Sequence, residues 1–425
     1  MNIRRDRSNL RFGRQAHSPA NRTWWIAWLI VMGAAVGIIW RFDRVQDWVL
    51  TGIGPQPSAT PNAITLATQA ERAFLAGNVE EAVNGYAQSA RLAPQNIDIL
   101  FEYGRMLIYR SYAGRSLRYH AEEALQVAEQ AVQTAPENPR AQALLCMAFV
   151  ANDRAEEAIQ AGLRAVDLSP DYAEAHAYLA MAYQSAGRPN QALAEAEQAV
   201  QLNPDSLDAR RALALGLAFI GNADGAIQQY ERALQIHPRF DALYFELAMY
   251  YNTKENYEAA IMAYDKILAM EPDNVKAYTR KCEMYYKMRE DALAQESCEQ
   301  AIQLDPAYPE AHRQLGMVRY ARRNYEGAID EFVECNRLQA EQGVPLNEQE
   351  IQCWYLQGLA YSMLAQCDQA WPILQQALQM NPDERIKGFI SEGLMSCVNY
   401  GDYSLSDIPT PIPNTPIPAE PIGIY

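Results

Sequence analysis

The chain has 425 residues, of which 49% are hydrophobic and 21% charged. That length suits two or three average domains or one elongated array, and the apolar content excludes wholesale disorder and collagen-like repetition. A net charge of −16 excludes non-specific attraction to nucleic-acid phosphates, so no nucleic-acid partner is expected.

The charge is unevenly spread. Residues 1–23 hold Arg4, Arg5, Arg7, Arg11, Arg14 and Arg22 against Asp6 alone, a basic tail of net +5. Trp24 to Trp40 (WWIAWLIVMGAAVGIIW) follows, seventeen residues without a charge and with tryptophan at both ends. As a helix this run is roughly 25 Å long, and Thr23 and Phe42 extend it toward a hydrocarbon core of about 30 Å. The spacing predicts one transmembrane helix over 24–40. The run passes straight into Trp40-Arg41-Phe42 with no small-x-small cleavage site, so an uncleaved anchor is expected rather than a secretory signal.

Six arginines precede the run and only Arg41 and Arg44 lie close behind it. This bias predicts a single-pass protein of the cell membrane, with the N-terminus cytoplasmic and the large domain outside. Gly33 and Gly37 form a small-xxx-small pair through which two anchors could pack as a homodimer. Residues 41–62 read as a juxtamembrane linker, with three prolines between Gly52 and Asn62.

From residue 63 the sequence is periodic. Pro136, Pro170, Pro204, Pro238, Pro272 and Pro306 stand 34 residues apart, and Ala158, Ala192, Ala226, Ala260, Ala294 and Ala328 keep the same step. A further small-residue column runs through Cys146, Ala180, Ala214, Ala248, Cys282 and Gly316. This pattern resembles the tetratricopeptide repeat. The resemblance implies an all-α fold: a right-handed α-solenoid of about nine helix pairs over 63–384. The units are 63–96, 97–138, 139–172, 173–206, 207–240, 241–274, 275–308, 309–350 and 351–384.

Two units carry eight extra residues, around Tyr109 to Tyr119 and around Gln339 to Glu350. Small residues would sit where paired helices cross, and each proline would end a second helix. Residues 385–400 read as a capping helix and 401–425 as a proline-rich disordered tail, with six prolines between Ile408 and Pro421.

In the family, the first helix of each unit lines a concave groove. Carried over by position, the groove would present Phe101, Arg105, Arg140, Arg211, Leu215, Phe219, Phe245, Met249 and Asn252. Further along it would present Lys276, Tyr286, Lys287, Arg313, Met317, Tyr320 and Tyr355. Its six cations face six acids (Glu71, Asp98, Glu174, Asp208, Glu283 and Glu310), so the groove is near neutral while the domain is acidic. Aromatic and arginine anchors in a neutral groove suit an extended peptide or a partner helix. Packing between neighbouring helices is the plainer use of the same side chains.

The seven cysteines contain no C-x-x-C pair, which excludes a zinc ribbon or a thioredoxin motif. Cys146, Cys282, Cys298 and Cys335 fall on core columns, so buried free thiols are expected. A Cys282–Cys298 bridge within one helix pair is the alternative, and the odd cysteine count speaks mildly against export. The five histidines lack metal spacing, although His176 and His312 share one repeat position. There is no phosphate-binding loop, nucleophile elbow or dinucleotide fingerprint.

No enzymatic activity, cofactor or metal is therefore expected. The reading is a membrane-anchored scaffold or adaptor for a protein or peptide partner. The alternatives are an assembly factor for an envelope complex of the pilus or cytochrome-maturation type, and an accessory module of a membrane glycosyltransferase or peptidase.

Overall fold

The structure, a computed structural model, describes Trp28, Met32, residues 62–401 except 113, 115 and 116, and Ser404. It divides into two units, 1–62 and 63–425. Apart from the helical, exposed Trp28 and Met32, the predicted span over 24–40, including Gly33 and Gly37, lies outside the described residues, as does the proline-rich tail. Among the described residues no helix is long and apolar enough to cross a membrane.

The second unit is all helical among its described residues, with nineteen α-helices. They form nine consecutive antiparallel pairs, each inside one of the units marked by the prolines. The pairs are α1 (Ala63–Leu75) with α2 (Val79–Leu92), α3 (Ile97–Ser111) with α4 (Tyr119–Thr134), and α5 (Pro139–Ala151) with α6 (Ala155–Leu168). Next come α7 (Ala173–Ser185) with α8 (Pro189–Leu202), α9 (Leu207–Phe219) with α10 (Ala223–Ile236), and α11 (Asp241–Thr253) with α12 (Tyr257–Met270). The last are α13 (Val275–Lys287) with α14 (Asp291–Leu304), α15 (Pro309–Ala321) with α16 (Tyr325–Glu341), and α17 (Ile351–Met363) with α18 (Cys367–Gln379). A single helix, α19 (Glu384–Asn399), caps the stack.

The period has a direct steric cause. The alanines from Ala158 to Ala328 are at most 1% exposed and lie where second helices meet their partners. At Gly316 a Cβ would stand 2.6 Å from the Phe332 ring, so no larger side chain fits that crossing. The turn inside each pair is equally regular. Asp153, Gly187, Gly221, Glu255, Arg289 and Arg323 follow one another at 34-residue steps, and all have φ between 57° and 83°. The next residue is often an N-cap: the side chains of Asn222, Asn256 and Asn324 each accept from the backbone N–H three residues on.

The stack curls until its two distant parts touch. The Phe74 ring at the end of α1 packs 4.3 Å from His237 and 5.7 Å from Phe240, in the loop that leads into α11. A Cβ on Gly77 would meet the Arg239 carbonyl oxygen at 2.6 Å, so the first turn fits this loop only as glycine. Between these contacts lies a buried polar cluster drawn from the first helices of several pairs. Asp208, 1% exposed, accepts from the Tyr109 hydroxyl at 2.5 Å, the Tyr178 hydroxyl at 2.9 Å and Arg105 at 3.3 Å. Burial, and then the Asp208 carboxylate, hold both phenols well above their ordinary pKa, which keeps them as donors. Beside this cluster Arg211 grips Glu246 with its Nε at 3.0 Å and Nη2 at 2.6 Å, and its guanidinium lies 4.6 Å from the Tyr112 ring centroid. The residues added to the second unit supply part of the closure, because α3 runs on to Ser111 and is followed by Tyr112.

The other half is fastened differently. Disulfides join Cys282 to Cys298 across α13 and α14, Cys335 to Cys353 across α16 and α17, and Cys367 to Cys397 across α18 and α19. Their Cα atoms lie 5.3, 6.2 and 5.4 Å apart, the separation that a close helix crossing provides. This corrects the expectation of buried free thiols at Cys282, Cys298 and Cys335. A small-residue column brings backbones within bridging distance, so cysteines on facing columns pair. Cys146 alone is a free, buried thiol.

Asp208→Asn should lower stability by about 3 kcal/mol, because Arg105 and the two phenols lose a buried anionic acceptor. Denaturant unfolding measures the loss. Small-angle scattering should show a larger radius of gyration if the α1 contact opens.

Candidate functional site

The first helices line one concave face, and the predicted groove residues fall into two settings along it. In pairs one to five the face is filled by the protein itself. Phe101 is 2% exposed and lies under Arg140, whose guanidinium is 4.7 Å from its ring centroid. Arg140 also pairs with Asp98 at 2.6 Å. Arg105 is held by Glu102 at 2.5 Å and by Asp208, and Arg211 is 8% exposed in its pair with Glu246. Arg105 and Arg211 fasten the closure, and Phe101 and Arg140 tie neighbouring pairs together. Leu215 is half-buried, and Phe219 is exposed at the end of α9.

From α11 onward the face presents partly exposed side chains. Phe245 and Lys276 stack, with the ammonium 4.5 Å from the ring centroid. Met249, Asn252 and Tyr286 are half-buried, and Lys287 is exposed. Lys287 donates to Asn252 at 3.0 Å and pairs with Glu283 at 2.8 Å. Arg280, which position alone did not single out, bridges Glu283 at 3.0 Å and Glu310 at 3.2 Å. Arg313 binds Glu310 at 2.8 Å and contacts the Met317 sulfur at 3.8 Å. The near neutrality of the groove thus arises from pairing: Asp98, Asp208, Glu283 and Glu310 each sit against a groove cation.

At the far end Tyr320 and Tyr355 line a cavity of about 310 Å³ together with Leu359, Phe389 and Ser396. Tyr355 and Phe389 stack with ring planes 16° apart. Among the described residues no cluster of histidine, cysteine or acidic side chains is arranged to hold a metal.

This geometry coincides with matches to known repeats. Tetratricopeptide repeat families match residues 120–173, 173–206, 212–275 and 275–308. The chain carries tetratricopeptide repeats. No curated protein matches it. Among solved structures, the APC/C hetero-tetramer Cut9–Hcn1 superposes with a TM-score of 0.51 at 16% identity, over 75% of this chain and 59% of that one. PilF of Pseudomonas aeruginosa (TM-score 0.41, 20% identity, 52% of this chain and 97% of that one) is also similar. So is MamA of Desulfovibrio magneticus RS-1 (TM-score 0.36, 18% identity, 40% of this chain and 96% of that one). At such identities the likeness is one of fold alone.

Repeat position located the first-helix residues on this face but not the company they keep. Phe74, Tyr112, His237, Phe240 and Glu246 complete the closure through contacts that span up to 166 residues of chain, and a 34-residue frame holds no sign of them. Phe389 lies beyond the last repeat and so beyond the frame.

The repeat frame did locate a matched pair of histidines. On α7, His176 Nδ1 lies 2.6 Å from Glu195, and its Nε2 lies 2.9 Å from the Pro170 carbonyl oxygen. On α15, His312 meets Glu331 and Pro306 at the same distances. Both ring nitrogens face acceptors, so the imidazolium suits the site. The hydrogen bond that His176 donates to the Glu195 carboxylate is the main cause that raises its pKa. For His312, burial opposes the charge, but Glu331 and then Pro306 outweigh it and the pKa again rises. Arg319 shares Glu331 at 2.9 Å.

Groups whose folded pKa is raised stabilise fully below the unfolded value of about 6.5, and that contribution fades as pH climbs through the folded pKa. The melting-temperature deficit of a His176→Gln, His312→Gln double variant should therefore be largest below about pH 6.5 and shrink as pH rises above it. Thermal melts across that range check the sign.

Proposed function

We propose that this protein is a non-catalytic, membrane-anchored scaffold that holds an extended peptide or partner helix on the concave face of pairs six to nine. The observation that carries this reading is the division of the face. Its first five pairs are filled by Asp208, Arg211 and their partners, whereas from α11 onward aromatic, methionine and paired charged side chains are partly exposed. Half-buried aromatics flanked by arginine and lysine concentrate binding energy, and their mutual pairing holds them in place before a partner arrives.

Three further features support a repeat domain outside the cytoplasm. The uncharged run Trp24–Trp40 reads as the anchor, and the arginines ahead of it set its orientation. Six of the seven cysteines are paired, as proteins of oxidising compartments favour.

Phe245→Ala combined with Tyr286→Ala should remove about 2 kcal/mol of partner binding, roughly thirtyfold, while helical circular dichroism is retained. Proximity labelling from the anchored protein, with and without the substitutions, reads the loss, and undiminished capture would overturn the reading. The compartment has its own test. Protein denatured directly from intact cells in the presence of an alkylating reagent, without reductant, should show only Cys146 modified. If all seven cysteines are modified, the repeats face a reducing compartment.

A further inference from the structure

Two features at the C-terminal end complement each other. The first is the cavity between α15, α17 and α19, about 310 Å³ in volume and walled by Tyr320, Tyr355, Leu359 and Phe389. Two of its apolar lining side chains are accessible: Met363 is 51% exposed and Phe389 36%.

The second feature is the sequence that follows the cap. Ile408 to Pro421 (IPTPIPNTPIPAEP) has six prolines and no charge before Glu420. It starts nine residues after α19 ends at Asn399, and Ser396, three residues before that end, already lines the cavity. Nine residues of extended chain span up to about 30 Å, so a segment leaving α19 can reach the cavity.

Their chemistry matches. Proline-rich segments favour the polyproline-II form, an extended helix of three residues per turn with no internal hydrogen bonds. Prolines spaced three apart, such as Pro413 with Pro416 and Pro418 with Pro421, then fall on one side. Grooves walled by aromatic rings hold such segments, and the stiffness of the ligand lowers the entropy lost on binding. A segment tethered so close has an effective concentration of the order of millimolar, enough to favour even a weak contact.

We propose that residues 408–421 dock in the cavity between α15, α17 and α19 as a built-in ligand, covering the last part of the groove until a partner displaces them. The inference deepens the reading of the concave face as a peptide-binding surface and rests on it.

A fluorescent peptide of residues 408–424 tests it by anisotropy against the full-length chain and against a chain ending at Asp407. That truncation leaves all nineteen helices intact. The peptide should bind the truncated chain saturably and the full-length chain at least about tenfold more weakly, because the tethered tail competes. Phe389→Ala and Met363→Ala, both at exposed positions, should each weaken binding to the truncated chain by about tenfold with unchanged circular dichroism. No saturable binding to the truncated chain, equal affinity for both chains, or indifference to both substitutions would each overturn the proposal. A library of unrelated extended peptides separates the two readings. If the truncated chain binds library members but not the tail, only the tail docking fails; if it binds neither, the groove reading fails as well.

Discussion

Every part of the repeat domain depends on one steric constraint: two antiparallel helices approach closely only where small side chains mark their crossing. A single pair cannot bury its apolar stripe, and each finds cover only in the next. Alanine at positions such as Ala226 and glycine at Gly316 set the approach, and a left-handed residue sets the turn inside eight of the nine pairs. The same constraint accounts for the disulfides. Cysteines take small-residue places, and places that bring backbones together also bring sulfur atoms together.

The two halves solve different problems with the same unit. In the first half the curl brings first helices face to face, and their inward side chains become a shared interior. A buried aspartate is tolerable there because it finds several donors, as Asp208 does with Tyr109, Tyr178 and Arg105. In the second half the inward side chains pair along the face instead of across it, as Arg313 does with Glu310 and Lys287 with Glu283. Covalent bonds there replace the cohesion that the closure gives the first half. A more open face gains less from its own interior, and the three disulfides lie in that half.

Much of this was legible in the sequence, and the reasons are local. Proline and alanine spacing reports helix ends and crossings within 34 residues, so the pairs, their order and the capping helix could be read directly. Phe101, Arg211 and Phe245 lie on first helices, where the repeat frame puts them. Their burial was not legible. Whether Arg211 meets solvent or Tyr112 depends on how far several small rotations between pairs add up, and no single repeat encodes that sum. The eight residues added to the second unit were visible as a departure from the pattern, but their role in extending α3 toward Tyr112 needed the three-dimensional path. For the cysteines, column position was read as burial, which is correct, and burial as isolation, which is not.

The contact between Gly77 and the Arg239 carbonyl has a mechanical consequence. A tensile load entering at residue 63 and leaving near α19 need not pass through every pair in series. It can jump from α1 to the loop before α11, so pairs two to five form a slack side branch while that contact holds. The load path then continues through α13 to α19, where covalent links cross three of the helix interfaces. Such a domain would lengthen by uncoiling its front half only after the Gly77 seat, the Phe74 ring contacts and the Asp208 and Arg211 ties had given way, while the rear keeps its shape.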